Sequence, residues 1–360
     1  MPDMIEVLKT VARMGASDLH MVVGKPPMVR LQGIITPLPG LPAVSAEECK
    51  SMIYSLLLDE QRARFEERWE LDCSIDVAGI SRFRVNVFMQ KNGVAAVLRT
   101  ISARIPTPAE IGLMPAMVNL IDLPRGLVLV TGPTGSGKTT TLACLIELIN
   151  QKHQKHILTI EDPIEFSYQD KNSIILQREV GQQTKSFAEA LKHSLRQDPD
   201  VILIGEMRDL ETISLAITAA ETGHLCFATL HTQDAPSTVD RIIDVFPPHQ
   251  QQQVRVQVST VLQAVICQSL LQRKDGQGRV CAREFMRMTT AVGSLIRDAK
   301  THLIYSAIES GAKHGMIAMD QYLAFLIKQN LIEMDEACAI AHDPGTVRQL
   351  AGMAVEHATQ

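Results

Sequence analysis

Eight residues, Gly132-Pro133-Thr134-Gly135-Ser136-Gly137-Lys138-Thr139, follow the apolar run Leu127–Thr131 and precede a segment, Thr139 to Asn150, with helical periodicity. Three glycines in that pattern let the chain turn so tightly that successive N–H groups converge at a helix N-terminus, where the dipole favours an anion. The bound group is then a nucleoside triphosphate. Lys138 reaches its β and γ phosphates, the Thr139 hydroxyl holds Mg²⁺, and Thr140 continues the first turn. ATP and Mg²⁺ are the expected ligands.

A loop of this kind needs a carboxylate near an attacking water. Two acidic segments end β-rich runs: Thr159-Ile-Glu-Asp-Pro-Ile-Glu165 after His156–Ile160, and Asp198-Pro-Asp-Val-Ile-Leu-Ile-Gly-Glu206. Glu206, delivered at the end of an apolar strand, is the candidate general base or water-orienting group. Gly205 stands where many phosphate-loop proteins place a Mg²⁺-bound Asp. Metal ligation therefore falls to Thr139 and ordered waters, backed by Glu161, Asp162 or Glu165. His224 and His231 flank the run Leu225–Leu230. Each is either a donor toward the γ phosphate or Glu206, or a satisfied structural histidine.

These residues need a scaffold, and the chain has length for two domains: 360 residues, 46% hydrophobic and 21% charged, with a net charge of −5. That composition excludes disordered and collagenous classes. The acidic balance and the lack of a basic stripe predict no nucleic-acid partner. Seven cysteines without a CxxC pair read as reduced core residues of a cytosolic protein. The acidic N-terminus argues against a signal peptide, and no apolar run reaches the length of about 18 residues that a membrane span needs.

Periodicity predicts an α+β first domain over 1–101: a helix from Pro2 to Met14, strands at His20–Val23, Val29–Leu31, Leu71–Val77, Phe83–Gln90 and Ala95–Thr100, and one helix between Ser45 and Trp69. The last two strands form a hairpin closed at Lys91-Asn92-Gly93. A proline-containing linker spans 102–115. From 116 to 290, strands alternating with helices predict a mostly parallel sheet covered on both faces. Helical runs at Thr301–Ser310, Met319–Gln329 and Met334–His342 predict a C-terminal helical subdomain over 291–360.

Taken together, GASDLH (15–20), GPTGSGKT (132–139), TIEDPIEF (159–166), DPDVILIGEMRD (198–209) and GHLCFATLHT (223–232) resemble the secretion ATPases, and within them the type IV pilus retraction ATPases of the PilT family. The resemblance runs over essentially the whole chain. It implies an α/β protein with an N-terminal PAS-like α+β domain, a RecA-like phosphate-loop ATPase domain and a small C-terminal helical annex. It also implies a homohexamer, cytoplasmic and peripheral at the inner-membrane pilus machinery, that hydrolyses ATP to power pilus retraction and twitching motility with a platform protein as partner. Catalytic roles carry over to Glu206, to Glu165 of the first acidic motif, and to His224 and His231. The odd Gly205 is the family's habit.

The resemblance further implies arginines from the first domain against the γ phosphate. FRVN and VLRT match that pattern at Arg84 and Arg99, with Arg82 a weaker third. The long N-terminal extension and tetracysteine site of assembly ATPases have no counterpart here, which favours retraction over extension. The family's AIRNLIRE run is altered in Ala291-Val-Gly-Ser-Leu-Ile-Arg-Asp298, where Gly293 and Ser294 replace Arg and Asn. That change admits an accessory role beside a paralogous retraction ATPase. A nucleic-acid-translocating ring ATPase is the remaining alternative.

Overall fold

The computed structural model of the chain describes residues 3–31, 33–77, 79–101 and 104–352. The chain divides into two compact units, one of residues up to Arg104 together with Pro163–Ser167, the other of Ile105–Asp162 and the chain from Tyr168 onward.

In the first unit Asp3 caps α1 (Met4–Arg13), whose Met4, Val7, Leu8 and Val11 are buried at helical spacing. Pro2, where the expected helix begins, lies outside the described residues. Strands β1 (Asp18–Met21), β2 (Met28–Leu31) and β3 (Ile34–Pro37) follow, then α2 (Ala46–Tyr54), α3 (Asp59–Arg68), β4 (Glu70–Val77), β5 (Ser81–Gln90) and β6 (Gly93–Ile101). All six strands form one antiparallel sheet in the order β3-β2-β1-β6-β5-β4. Its apolar face meets the helices in a cluster that includes Leu8, Leu19, Phe65, Phe83 and Leu98.

Two expectations need correction here. The helix between Ser45 and Trp69 is two helices: Leu57 turns into the core, and the Leu58 amide donates to Gln61 Oε1 (3.0 Å), which restarts the backbone as α3. Strand β3 carries no signal in the sequence, since its four residues are mostly exposed at the sheet edge and show no alternation. The hairpin closes as expected, with Gln90 paired to Gly93, and Gly93 takes φ 126°.

The second unit opens with α4 (Pro115–Val118), then β7 (Gly126–Thr131), α5 (Lys138–Lys152), β8 (His156–Glu161), β9 (Ile174–Glu179), α6 (Phe187–Ser194), β10 (Val201–Ile204), α7 (Leu210–Glu221), β11 (Leu225–Leu230), α8 (Ala235–Asp244) and α9 (Pro248–Val261). An antiparallel pair, β12 (Leu262–Gln272) and β13 (Arg279–Arg287), precedes α10 (Thr290–Arg297), α11 (Ile304–Glu309), α12 (Met319–Lys328), α13 (Met334–Cys338) and α14 (Pro344–Ala351). The seven strands run β13-β12-β7-β11-β10-β8-β9, parallel except for β12 with β13.

Every residue of β7 is buried. Leu127 and Leu129 enter one apolar cluster and Val128 and Val130 another, so helices cover both faces of the sheet. A smaller cluster around Leu271, Tyr322, Leu323 and Val347 holds the last helices against the β12–β13 pair.

Candidate nucleotide site

The phosphate loop leaves the carboxyl end of β7 and runs into α5, whose N-cap Gly137 is left-handed at φ 89° and carries no side-chain cap. The first backbone bond of that helix is Thr141 N–H to Gly137 O (3.0 Å). The amides of Lys138, Thr139 and Thr140 therefore have no acceptor within the helix, the arrangement that suits an anion. Lys138 Nζ donates to the carbonyls of Gly132 (2.8 Å) and Pro133 (3.0 Å), which keeps the ammonium over the loop. Pro133, Thr134 and Gly135 are exposed at its crest, while Ser136 is buried below.

Gly132 is required sterically. A methyl there would lie 2.2 Å from the Gln268 carbonyl and 2.7 Å from Ser136 Oγ. Gln268, buried on β12, donates from Nε2 to Ser136 O (2.9 Å) and so braces the loop from behind. No motif in the sequence marks Gln268, because its role depends on β12 lying beside β7.

Neighbouring parallel strands bring the other groups to the same sheet edge. Leu230 pairs with Thr131, so His231 emerges from β11 beside the start of the loop. One strand further, Glu206 stands just beyond β10. His231 Nε2 lies 2.9 Å from Glu206 Oε1, and Arg208 Nη2 lies 2.6 Å from Glu206 Oε2. Burial pushes the Glu206 carboxyl up, but Arg208 and His231 outweigh it and hold it below the ordinary Glu value. The group is a carboxylate at neutral pH, as a water-orienting base must be. Arg208 was not singled out by sequence, although it sits two residues from Glu206.

Gly205 has a packing reason. A side chain there would press within 3.1 Å of the Ile160 carbonyl and 3.3 Å of Glu161 Cα, so an Asp would crowd the adjacent strand. The carboxylate that does reach this edge from β8 is Glu161, buried, with Oε1 accepting from Thr159 Oγ1 (2.6 Å) and Gln177 Nε2 (3.2 Å). Asp162 follows it, exposed.

Within the second unit, His224 stands apart from this cluster. It precedes β11, and Leu225 pairs with Gly126 at the start of β7, so His224 lies at the amino edge of the sheet, a full strand from the loop. Its Nδ1 lies 2.9 Å from Ala219 O and 3.3 Å from Thr222 Oγ1, which makes it a closing contact for the end of α7. Strand polarity thus places His224 at the opposite end of the sheet from the loop of its own chain. Glu165 is exposed and belongs to Pro163–Ser167, grouped with the first unit.

Arg84 and Arg99, also of the first unit, are exposed partners in the β5–β6 register. Arg82 donates to Ser74 Oγ (2.6 Å).

Beside the loop, a cavity of about 390 Å³ is lined by Glu110, Gly137, Thr140, Leu270, Arg279 and Tyr322, among others. It is large enough for a nucleoside and was invisible to motif reading. The residues present fit a nucleoside triphosphate: an uncapped helix N-terminus, a lysine held over the turn, and a base-sized cavity adjoining the start of that helix.

A family model for type II/IV secretion system proteins matches residues 2–319. The chain belongs to the PilT family of type II/IV secretion ATPases. It is 49% identical over 335 residues to the type IV pilus retraction ATPase PilT of Pseudomonas aeruginosa, spanning 93% of this chain and 97% of that one. It is 50% identical over 311 residues to a twitching motility protein of Neisseria gonorrhoeae, spanning 86% and 83%. The crystal structure of the pilus retraction motor PilT with bound ADP superposes with a TM-score of 0.91 at 46% identity, covering 97% of this chain and 100% of that one. The family and the α/β fold expected from the sequence are borne out. Among the described residues no helix is long and apolar enough to cross a membrane.

Proposed function

We propose that this PilT-family protein is a hexameric motor ATPase that couples ATP hydrolysis to retraction of a type IV pilus and so to twitching motility. What carries the reading is the convergence of Lys138, Thr139, Glu206 and His231 at the carboxyl ends of adjacent parallel strands, in a chain 49% identical to a pilus retraction ATPase across nearly its whole length.

Lys138 and the α5 amides bind the β and γ phosphates. Thr139 holds Mg²⁺, which supplies charge neutralisation across those phosphates when bound. Glu206 orients the attacking water and accepts its proton as the new oxygen–phosphorus bond forms and the bond from the γ phosphorus to the β-phosphate oxygen breaks, releasing ADP and phosphate, while His231 fixes the carboxylate from its other side. The cavity walled by Leu270 and Arg279 takes the base. Arg84 and Arg99 act on the γ phosphate of a neighbouring subunit, where planar guanidinium groups stabilise the charge of the transferring phosphoryl. Glu165 serves the same reaction as the family's first acidic motif implies.

The protein works in the cytoplasm against the inner-membrane platform of the pilus. A second reading, an accessory ATPase working beside a paralogous retraction ATPase, has Gly293 and Ser294 on α10 in its favour.

The deciding measurement is ATP turnover by purified protein with its mass determined in parallel. Six-subunit particles that hydrolyse ATP are expected. Inactive Lys138→Ala subunits mixed with inactive Arg84→Ala subunits should regain part of the activity, because some interfaces then pair an intact loop with an intact arginine. No recovery would remove the role in trans. A monomer that binds ATP without turnover would favour the accessory reading.

A further inference from the structure

A row of side chains crosses the sheet of the first unit at one level. Ser74 on β4 pairs with Arg84 on β5, Arg84 with Arg99 on β6, Arg99 with Asp18 on β1, and Asp18 with Arg30 on β2. Two guanidinium groups thus flank one carboxylate, and a third, that of Arg84, faces one of them. Directly opposed like charges such as Arg84 and Arg99 destabilise a sheet unless something holds or uses them.

Asp18 is the buried charged member of the row, only 5% exposed. Arg99 donates from Nε to Asp18 Oδ1 (3.0 Å), Ser17 Oγ donates to Oδ2 (2.8 Å), and Arg30 Nε stands 3.6 Å from Oδ2. Arg99 itself stays two-thirds exposed at 67%. Holding an arginine by Nε fixes the plane of its guanidinium and leaves the Nη edge, the pair of donors that matches two oxygens of a phosphate. Arg84, opposite, makes no side-chain hydrogen bond or ion pair among the described residues. The two arginines therefore differ: one is aimed, the other is free to swing.

We propose that Asp18 is a positioning residue for ATP hydrolysis, holding Arg99 by Nε so that its Nη edge is presented, preorganised, to the γ phosphate of a neighbouring subunit. This gives the Ser17-Asp18 pair of the GASDLH run a purpose and rests on the assignment of Arg84 and Arg99 to that phosphate. Burial pushes the Asp18 carboxyl up, but its bonds to Ser17 and Arg99 outweigh this and keep it below the ordinary Asp value, in accord with a charged anchor.

The test is a kinetic cycle on the full-length ring with Asp18→Asn, Arg99→Ala and the double variant, reading kcat and KM for ATP separately. Arg99→Ala should lower kcat on the order of a thousandfold, as loss of an arginine finger does. Asp18→Asn should lower kcat about tenfold with KM within about twofold, because misaimed donors cost the transition state and not ground-state binding. The double variant should be no slower than Arg99→Ala alone. A purely structural Asp18 would instead add its loss in the Arg99→Ala background, and that result overturns the proposal. An unchanged kcat in Asp18→Asn with a collapsed kcat in Arg99→Ala also overturns it while sparing the arginine assignment. Full activity in Arg99→Ala defeats the assignment and the proposal together. Should Asp18→Asn not assemble, Ser17→Ala replaces it, with an expected kcat loss of about threefold in wild type and none beside Arg99→Ala.

Discussion

The two edges of the parallel sheet carry similar residue types and do different things with them. At the carboxyl edge stand Lys138, Glu206 and His231. At the amino edge stand Lys155, Asp200, His156 and His224: Lys155 Nζ lies 3.0 Å from Asp200 Oδ1, the His156 amide donates to Asp200 Oδ2 (2.9 Å), and His224 closes α7. At the amino edge Lys155, Asp200, the His156 amide and His224 Nδ1 have their partners within the chain. The carboxyl edge, with its uncapped helix N-terminus, leaves donors to be met by a ligand. In parallel sheets the end of a strand at which a residue falls outweighs its type in deciding whether it can take part in catalysis.

Three substitutions would break or sharpen this contrast. The largest effect is expected for Glu206→Gln, which keeps the shape but removes the proton acceptor: kcat should fall by at least about a hundredfold while ATP still binds. Rapid-quench turnover beside nucleotide-binding titration checks it, and undiminished hydrolysis would displace Glu206 from its role. Next comes His231→Ala, which frees one side of the carboxylate and should lower kcat by roughly tenfold with little change in KM. The smallest is His224→Ala. Its kcat should stay within about twofold of wild type, while loss of its bond to Ala219 O should cost about 1 kcal/mol in chemical unfolding. A drop in kcat to match His231→Ala would erase the distinction between the edges and point to His224 acting on another subunit.

How much of this the sequence revealed follows from range. The phosphate loop and Glu206 are local patterns, with chemistry and backbone demand written in the same few residues, and they were legible. The His pair was half legible: the types suggested function, but only strand polarity assigns one to the site and the other to the end of α7. Strands β12 and β13 carry no clear signal because a run such as Leu262–Leu271, apolar but for Gln263, Gln268 and Ser269, has no alternation to reveal its period. What Gln268, Arg208 and Asp18 do was hidden for a related reason. Each acts through a partner set by register or by a neighbouring strand, and register is a property of the fold.

The β12–β13 pair also has a mechanical meaning. Gln268 grips the loop at Ser136, and on the next strand Arg283 donates to the carbonyls of Ile111 (2.7 Å) and Gly112 (3.0 Å), while Glu284 Oε1 accepts from the first amide of α8 (2.8 Å). One stiff ribbon thus links the floor of the phosphate loop to the stretch leading back to Ile105 and to the helix that follows His231. The ribbon is thus a common tether for the loop, the chain entering the unit and α8.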